Sequence, residues 1–191
     1  LKYISEKCQN RTFDKMMPII TMMGNLGVIW FVISSLMFLK VEYRIIGIGV
    51  ILAVALTTII GEGIIKHIVK RKRPFYGDSD KELLISRPIT YSFPSGHSFG
   101  SFAAATALYL GLSNICPTKR FWGVIALIGA CVVAFARVYL FVHYPTDVLT
   151  GLVLGIIVGC IAWKIAKALW SWWTGRKNEV EYEPYTFKRK N

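Results

Sequence analysis

Two histidines and one carboxylate have the types and spacing that nucleophilic chemistry needs. Asp147 follows His143 by four residues, which lets the carboxylate orient the imidazole and stabilise it when it is positive. His97 follows Ser95 and Gly96, which predict a helix N-cap and a point of close backbone approach. Free N–H groups at a helix start bind anions, and histidine can attack phosphorus or transfer protons near pH 7. These residues predict chemistry on a phosphate group.

Three cations accompany these groups in an otherwise apolar chain. Lys66, Arg73 and Arg137 lie at or near the ends of uncharged stretches, where ionisable side chains are costly and usually mark function. Two of them have a specific structural explanation, because Arg137 could extend to the membrane surface and Lys66 could pair with Glu62 four residues earlier. The adjoining residues 70–72 are also basic and would attract acidic lipid headgroups. Taken singly, the cations leave both explanations open.

The composition places these residues in a membrane protein. Of 191 residues, 54% are hydrophobic and only 18% are charged, with a mean hydropathy of +0.47, which excludes disorder and an ordinary soluble domain. The net charge of +12 would suit nucleic acid, anionic lipid or a phosphate-bearing substrate, and the hydropathy argues against nucleic acid. A bilayer crossing needs about 20 helical residues. Five stretches qualify: Met16–Leu39, Arg44–Lys66, Pro94–Leu112, Phe121–Phe141 and Asp147–Trp170.

Five crossings would put the candidate residues on one side of the membrane. The N-terminus and the loops near 66–93 and 141–146 would share that side. Lys and Arg are divided equally between the two sides, so the positive-inside rule does not decide the orientation. If the two candidate site cations Lys66 and Arg73 are not counted, the side of the C-terminus has slightly more Lys and Arg residues than the other side. That excess favours a cytoplasmic C-terminus.

The chain is expected to form one domain. Residues 1–15 would be an interfacial segment, 16–170 the helical core and 175–191 a polar tail. Gly151, Gly155 and Gly159 would lie on one face of the last helix. Small residues on one face allow two membrane helices to pack closely.

Three motifs of a known family occur in order along the chain. They are Lys, six residues and Arg-Pro; Pro-Ser-Gly-His; and Ser-Arg, five residues, His, three residues and Asp. They fall at Lys66–Pro74, Pro94–His97 and Ala136–Asp147. Three motifs in order are highly specific, and the chain resembles a type 2 phosphatidic acid phosphatase, in particular an undecaprenyl-diphosphatase-like membrane lipid phosphatase. Ala136 stands where the third motif has Ser, which puts one hydroxyl contact in doubt but not the reaction class.

The resemblance implies an all-α fold, an integral membrane helix bundle of five to six transmembrane helices with its active site at one membrane face. It implies that His143 is a nucleophile that forms a phosphohistidine, that Asp147 orients it, and that His97 is the general acid and later the base. The phosphoryl oxygens would be bound by a set of five residues: Lys66, Arg73, Ser95, Gly96 and Arg137. This scheme needs no metal and no other cofactor.

The expected function is hydrolysis of the terminal phosphate of a lipid phosphate or diphosphate. Undecaprenyl diphosphate is the expected substrate by analogy, with phosphatidate and phosphatidylglycerol phosphate as alternatives. The expected partners are this substrate and membrane lipids, without nucleic acid, and the oligomeric state stays open. The expected location is a bacterial plasma membrane with an extracytoplasmic site. A lipid or anion transporter is the alternative of another class, and it would place a polar stripe through the bilayer.

Overall fold

The described part of the chain is built from helices and contains no strand. The computed structural model describes residues 10–24, 27–77 and 82–175. The α-helices are α1 (Arg11–Met23), α2 (Val28–Phe38), α3 (Arg44–Thr57), α4 (Lys66–Val69), α5 (Gly96–Ile115), α6 (Arg120–Tyr139) and α7 (Pro145–Thr174). A π-helical segment, Thr58–Ile65, joins α3 to α4, and short 3-10 helices occupy Val41–Tyr43, Pro74–Gly77 and Pro117–Lys119. The predicted all-α fold is confirmed for these residues.

Three helical segments of the described chain are long and apolar enough to cross a bilayer. They are Val41–Gly77, Pro117–Tyr139 and Pro145–Thr174, which correspond to the second, fourth and fifth predicted spans. The third predicted span forms the 20-residue helix α5. This helix packs against α3, α6 and α7, and its small residues 103–107 are buried. A helix surrounded by others needs no strongly apolar outer surface, which explains its lower hydropathy.

The first predicted span, Met16–Leu39, is not one helix, and that prediction was wrong. Helices α1 and α2 have 13 and 11 residues, and each is shorter than the roughly 20 residues that a crossing needs. Gly27 precedes α2 with a φ of 69°, a left-handed conformation that glycine adopts without strain. An uncharged stretch therefore contains a break that hydropathy alone does not reveal.

The described residues include the start of the first helix and the end of the last one. Helix α1 begins at Arg11, five residues before the predicted start of the helical core, and its N-cap is Asn10, whose side chain accepts hydrogen bonds from the first backbone N–H groups. At the other end α7 closes at Gly175, in a left-handed conformation. The predicted interfacial segment up to residue 9 and the polar tail from residue 176 lie outside the described residues.

A row of glycines lets α7 pack closely on α5. A Cβ atom added at Gly159 would lie 2.5 Å from the Ala103 carbonyl oxygen, and one at Gly151 would lie 2.9 Å from the Ser95 carbonyl oxygen. The predicted close packing is therefore confirmed. It brings the start of α5 against the start of α7, where the Ser95 N–H donates to the Asp147 carbonyl at 3.1 Å.

Candidate active site

The predicted site residues are brought together at one end of the bundle. Four pieces of chain meet there: α4 with the turn after it, the segment 82–95, the end of α6 with the residues after it, and the start of α7. Six of the predicted residues are buried: Lys66, Arg73, Ser95, Arg137, His143 and Asp147. Gly96 and His97 are half-buried. At the opposite end of the bundle, Lys119 Nζ donates to the Tyr43 hydroxyl at 2.6 Å.

Asp147 is fixed by the first turn of α7. Its Oδ2 accepts hydrogen bonds from the Tyr144 backbone N–H at 3.0 Å and from the Ser92 hydroxyl at 2.5 Å. A carboxylate in the first helical turn caps free backbone N–H groups, so the local sequence holds this side chain in place. Oδ2 lies 3.7 Å from Nδ1 of His143. The predicted pair is therefore adjacent, with Ser92 beside both groups.

His143 has a cation on one ring nitrogen and polar oxygens beside the other. Arg73 Nη1 lies 3.1 Å from His143 Nε2 and also donates to the Val142 carbonyl at 3.0 Å. A guanidinium group only donates hydrogen bonds, so Nε2 is the acceptor and the ring proton is on Nδ1. Nδ1 lies 3.4 Å from the Ser92 hydroxyl. The lone pair of Nε2 is thus directed toward the Arg73 guanidinium.

The surroundings of His143 keep its imidazole neutral. The residue lies between the apolar segments Pro117–Tyr139 and Pro145–Thr174 and is buried. Burial lowers the pKa of His143 to about 3; the Asp147 carboxylate opposes this change, and the positive charges of Arg137, Arg73 and Lys66 add to it. Near pH 7 the ring is therefore uncharged, which is the form with a nucleophilic lone pair.

Lys66 and Arg73 meet at Thr90, which the sequence motifs do not include. Thr90 Oγ1 accepts from Lys66 Nζ at 3.1 Å and from Arg73 Nη2 at 3.0 Å, and the Thr90 carbonyl accepts from Arg73 Nε at 2.7 Å. Lys66 also pairs with Glu62 Oε1 at 2.7 Å. Lys66 therefore has the predicted pairing with Glu62 and also lies beside Arg73. These contacts hold the two cations side by side.

Arg137 is directed into the bundle and does not extend to the membrane surface. It is 3% exposed, and its Nη1 donates to the hydroxyl of Thr21 on α1. Its Nε has no hydrogen-bond partner among the described residues. The backbone of Thr21 also hydrogen-bonds to His97. Helix α1 thus contacts two predicted site residues, although no motif marks it.

The start of α5 has the predicted N-cap. The Ser95 hydroxyl accepts from the Ser98 backbone N–H at 3.5 Å and from the Ser98 hydroxyl at 3.0 Å. The predicted close approach at Gly96 is also present, since an added Cβ would lie 2.5 Å from Glu62 Oε1. The group that approaches Gly96 is the Glu62 side chain.

Two other residues of interest lie outside the polar centre. His67 is exposed, and its ring contacts the Tyr91 ring edge-on with centroids 6.4 Å apart. Ala136 is fully buried in an apolar cluster that includes Phe75 and Tyr139. Its methyl group therefore packs among hydrophobic side chains.

The charged groups of the site suit an oxyanion. Three buried cations, Lys66, Arg73 and Arg137, lie with two histidines and one carboxylate. Guanidinium and ammonium N–H groups bind phosphate oxygens. Among the residues that the structure describes, no group of three or more His, Cys, Asp or Glu side chains could hold a metal ion. The ligand that these described side chains fit best is a phosphate group.

An apolar groove of about 700 Å³ lies beside this centre, between α1, α2, α5 and α6. Gly24 lines one end of the groove, and a Cβ added there would lie 2.9 Å from the His97 ring. Tyr43 lines the other end. Along α5 the groove extends from Ser101 to Leu112, a distance of roughly 16 Å at the helical rise. The polar centre therefore has an apolar groove next to it.

A protein-family comparison matches most of this structure. The family model described as the PAP2 superfamily matches residues 42–171. The matched range contains all the predicted site residues and extends from the start of α3 into α7. Helices α1 and α2 precede it.

Similar curated proteins are phosphatases of several lipids. Undecaprenyl-diphosphatase of Sulfolobus acidocaldarius is 32% identical over 127 residues, which cover 66% of this chain and 58% of that protein. Lipid A 4'-phosphatase of Porphyromonas gingivalis is 29% identical over 131 residues, with coverages of 66% and 53%. Phosphatidylglycerophosphatase B of Bacillus subtilis is 33% identical over 99 residues, with coverages of 50% and 46%. The matched part of this chain spans about half to three-fifths of the length of these relatives.

Two solved structures share the fold. One is a transmembrane PAP2 type phosphatidylglycerolphosphate phosphatase from Bacillus subtilis, with a TM-score of 0.70, 25% identity and coverage of 87% of this chain and 84% of that one. The other is Aquifex aeolicus LpxE, with a TM-score of 0.70, 26% identity and coverages of 85% and 92%. Together with the three apolar segments of the described chain, this likeness identifies an integral membrane protein.

Proposed function

The chain belongs to the PAP2 superfamily, and we propose that it is a membrane lipid phosphatase that hydrolyses the terminal phosphate of a lipid phosphate or diphosphate. The observation that carries this proposal is the position of His143. Its Nε2 lone pair is directed toward the buried cation Arg73, and its Nδ1 lies beside Ser92 and Asp147. That arrangement suits a nucleophile that becomes positive when it attacks an anion.

In the first step, the His143 Nε2 lone pair forms a bond to phosphorus while the bond between phosphorus and the leaving oxygen breaks. His97 donates a proton to that oxygen, and the lipid leaves as an alcohol or a monophosphate. Arg73 has to release Nε2, and its N–H can then bind a phosphoryl oxygen instead. Asp147 and Ser92 stabilise the positive charge that develops on the imidazole ring.

In the second step, neutral His97 takes a proton from water, and the water oxygen attacks phosphorus. The phosphorus–nitrogen bond breaks, phosphate is released and His143 is restored. Lys66, Arg73 and Arg137 would hold the phosphoryl oxygens in both steps, together with Ser95 and the Gly96 N–H. Fixed donors aimed at developing negative charge are usually the largest contribution to catalysis of this kind.

The groove supports a lipid as the substrate. Its end at Gly24 adjoins His97, so a phosphate in the polar centre could continue into an apolar chain without leaving the protein. In this proposal α5 and the α1–α2 pair cross the bilayer with the three apolar segments, making five crossings. The site then opens laterally at the depth of the lipid headgroups.

Undecaprenyl diphosphate is our first choice of substrate. The motif resemblance supports it, as does the similarity to an undecaprenyl-diphosphatase. The phosphatidylglycerophosphatase and lipid A phosphatase relatives support glycerolipid or saccharolipid phosphates as alternatives. We place the site on the extracytoplasmic side of a bacterial plasma membrane and the C-terminus in the cytoplasm. A reporter fused after Asn191 tests this orientation.

The decisive experiment measures phosphate release in detergent with a chelator present. Undecaprenyl diphosphate, farnesyl diphosphate and phosphatidate are offered to the wild type, to His143→Ala and to His67→Ala, the matched control on the exposed surface. We expect hydrolysis by the wild type and by the His67 variant, and a loss of at least about 10⁴-fold for His143→Ala. Equal rates for both variants would contradict the mechanism. A folded wild type that hydrolyses none of the lipids would overturn the proposed function and favour transport.

A further inference from the structure

The basic run Lys70–Arg73 divides into residues with different contacts. Lys70 and Lys72 are exposed, whereas the Arg71 side chain is only 36% exposed. Arg71 Nη1 lies 2.7 Å from Asp147 Oδ1 and donates to the Thr146 hydroxyl at 2.8 Å. Its guanidinium lies over the Tyr144 ring, 4.0 Å from the centroid. Arg71 therefore has specific contacts within the site, in addition to the attraction of acidic lipid headgroups that the sequence predicts for residues 70–72.

These contacts divide the two oxygens of Asp147 between different partners. Oδ2 faces Ser92, the Tyr144 N–H and His143, whereas Oδ1 is bound by Arg71. Asp147 is fully buried, and a buried carboxylate oxygen without its cation is strongly destabilised. Without Arg71, only the hydrogen bonds that Oδ2 accepts from Ser92 and the Tyr144 N–H would restrict rotation of the carboxylate. Arg71 therefore restricts the plane of the carboxylate.

The backbone of Arg71 fixes the other partner of His143. The Ser92 N–H donates to the Arg71 carbonyl at 2.9 Å, so one residue positions both Ser92 and Asp147. The side-chain contact spans 76 residues of sequence, which joins the turn after α4 to the start of α7. Lysine could supply the charge but not the flat contact over Tyr144.

We propose that Arg71 is a positioning residue that holds Asp147 and Ser92 in the arrangement that the nucleophile His143 requires. This inference rests on the proposed function. Arg71 does not touch the phosphate in this scheme, so its loss should slow turnover and leave substrate binding nearly intact. A residue that merely attracted anionic lipid would instead change KM.

The test compares Arg71→Gln and Arg71→Lys with Lys72→Gln, which removes the same charge from an exposed neighbour. Hydrolysis of farnesyl diphosphate in detergent gives kcat and KM, and competitive inhibition by inorganic phosphate reports whether the cation site is intact. For Arg71→Gln we expect kcat to fall roughly tenfold to a hundredfold, as for other residues that orient a catalytic group. KM and phosphate inhibition should stay within about threefold, because Lys66, Arg73 and Arg137 are unchanged.

Arg71→Lys should lie between the wild type and Arg71→Gln, and Lys72→Gln should match the wild type. The proposal is overturned if Arg71→Gln keeps the wild-type kcat, or if its defect lies in KM. It is also overturned if phosphate inhibition is lost together with activity, because Arg71 would then maintain the fold of the whole site. Absence of hydrolysis by the wild type in the same assay would instead count against the proposed function.

Discussion

The two ends of the helical bundle hold their cations in opposite ways. At the site end, Lys66, Arg73 and Arg137 are each 3% exposed and contact residues far away in sequence. At the other end, Lys40, Arg44, Lys119 and Arg120 are exposed. The contacts described for that end are few, such as Arg44 Nε with the Phe38 carbonyl at 3.2 Å.

This difference separates the cations that need a compensating partner or a ligand from those that do not. A cation at a helix end can reach water and lipid headgroups with little loss of hydration. A buried cation loses that hydration and is tolerated only with compensating partners or a ligand. Several buried cations together therefore indicate a place where an anion completes the charge balance. The exposed cations need no such ligand.

Among changes to the cations of the two ends, the largest effect should follow removal of a cation from the buried end. Arg137→Gln should lower kcat/KM by about 10² to 10³-fold, the usual effect of losing one donor to a transition-state anion. Arg120→Gln removes an exposed arginine from the other end of the same helix and should change kcat/KM by less than about twofold. Steady-state hydrolysis of farnesyl diphosphate checks both values. Similar losses of kcat/KM in the two variants would contradict the distinction between the buried and the exposed cations.

The buried His143 imidazole should make the folded protein less stable in acid. Burial lowers the pKa of His143 from 6.5 to about 3, so between these values the unfolded chain binds a proton that the folded chain does not. The free energy of unfolding should therefore fall with decreasing pH by about 1.4 kcal/mol per pH unit from this residue. Well above pH 6.5, His143 should no longer contribute to the pH dependence of the free energy of unfolding.

The measurement is the free energy of unfolding in SDS-containing micelles between pH 7 and pH 4. His143→Gln should show a shallower fall than the wild type over the acid range. His67→Gln is the control for removing an imidazole from the exposed surface. If His143→Gln has the same acid dependence as the wild type, the His143 ring takes up its proton in the folded state and the neutral nucleophile is contradicted.

Much of the fold follows from sequence because hydropathy and small-residue spacing act locally. The apolar stretches predicted α6 and α7, and the glycines at 151, 155 and 159 predicted how α7 packs. The break between α1 and α2 was missed because glycine conformation, not hydropathy, decides it. The π-helical segment Thr58–Ile65 was also missed, since its apolar sequence is equally suited to an α-helix.

The residues of the site were also predicted only in part. The motifs identified the groups whose chemistry is distinctive, such as His143 and Asp147. Thr90, Ser92 and Thr21 were missed because a hydroxyl residue in a loop or helix has many ordinary roles, and only tertiary contacts distinguish it. The contacts of Arg71 were missed because a run of basic residues looks uniform in sequence. Burial separates its members, and burial depends on the whole fold.

The smallest effect should come from the position where the third motif is incomplete. Ala136 is fully buried in the apolar cluster with Phe75 and Tyr139, next to Arg137 but surrounded by hydrophobic groups. A hydroxyl there could bond to the carbonyl four residues earlier in α6, or reach a phosphoryl oxygen. A neutral hydrogen bond is worth about 0.5 to 1.5 kcal/mol. Ala136→Ser should therefore change kcat/KM by no more than about tenfold in either direction.

Ala134→Ser is the matched control, because it buries a hydroxyl on the same helix in a different apolar cluster. The two variants should lose similar stability if the hydroxyl is merely buried. If Ala136→Ser alone lowers KM, the added hydroxyl reaches the phosphate, and the region of bound anion extends one residue beyond Arg137 on α6. A change in turnover well above tenfold would mean that the end of α6 contributes more to the transition state than its cation alone. Position 136 would then belong to the polar centre and not to its apolar surroundings.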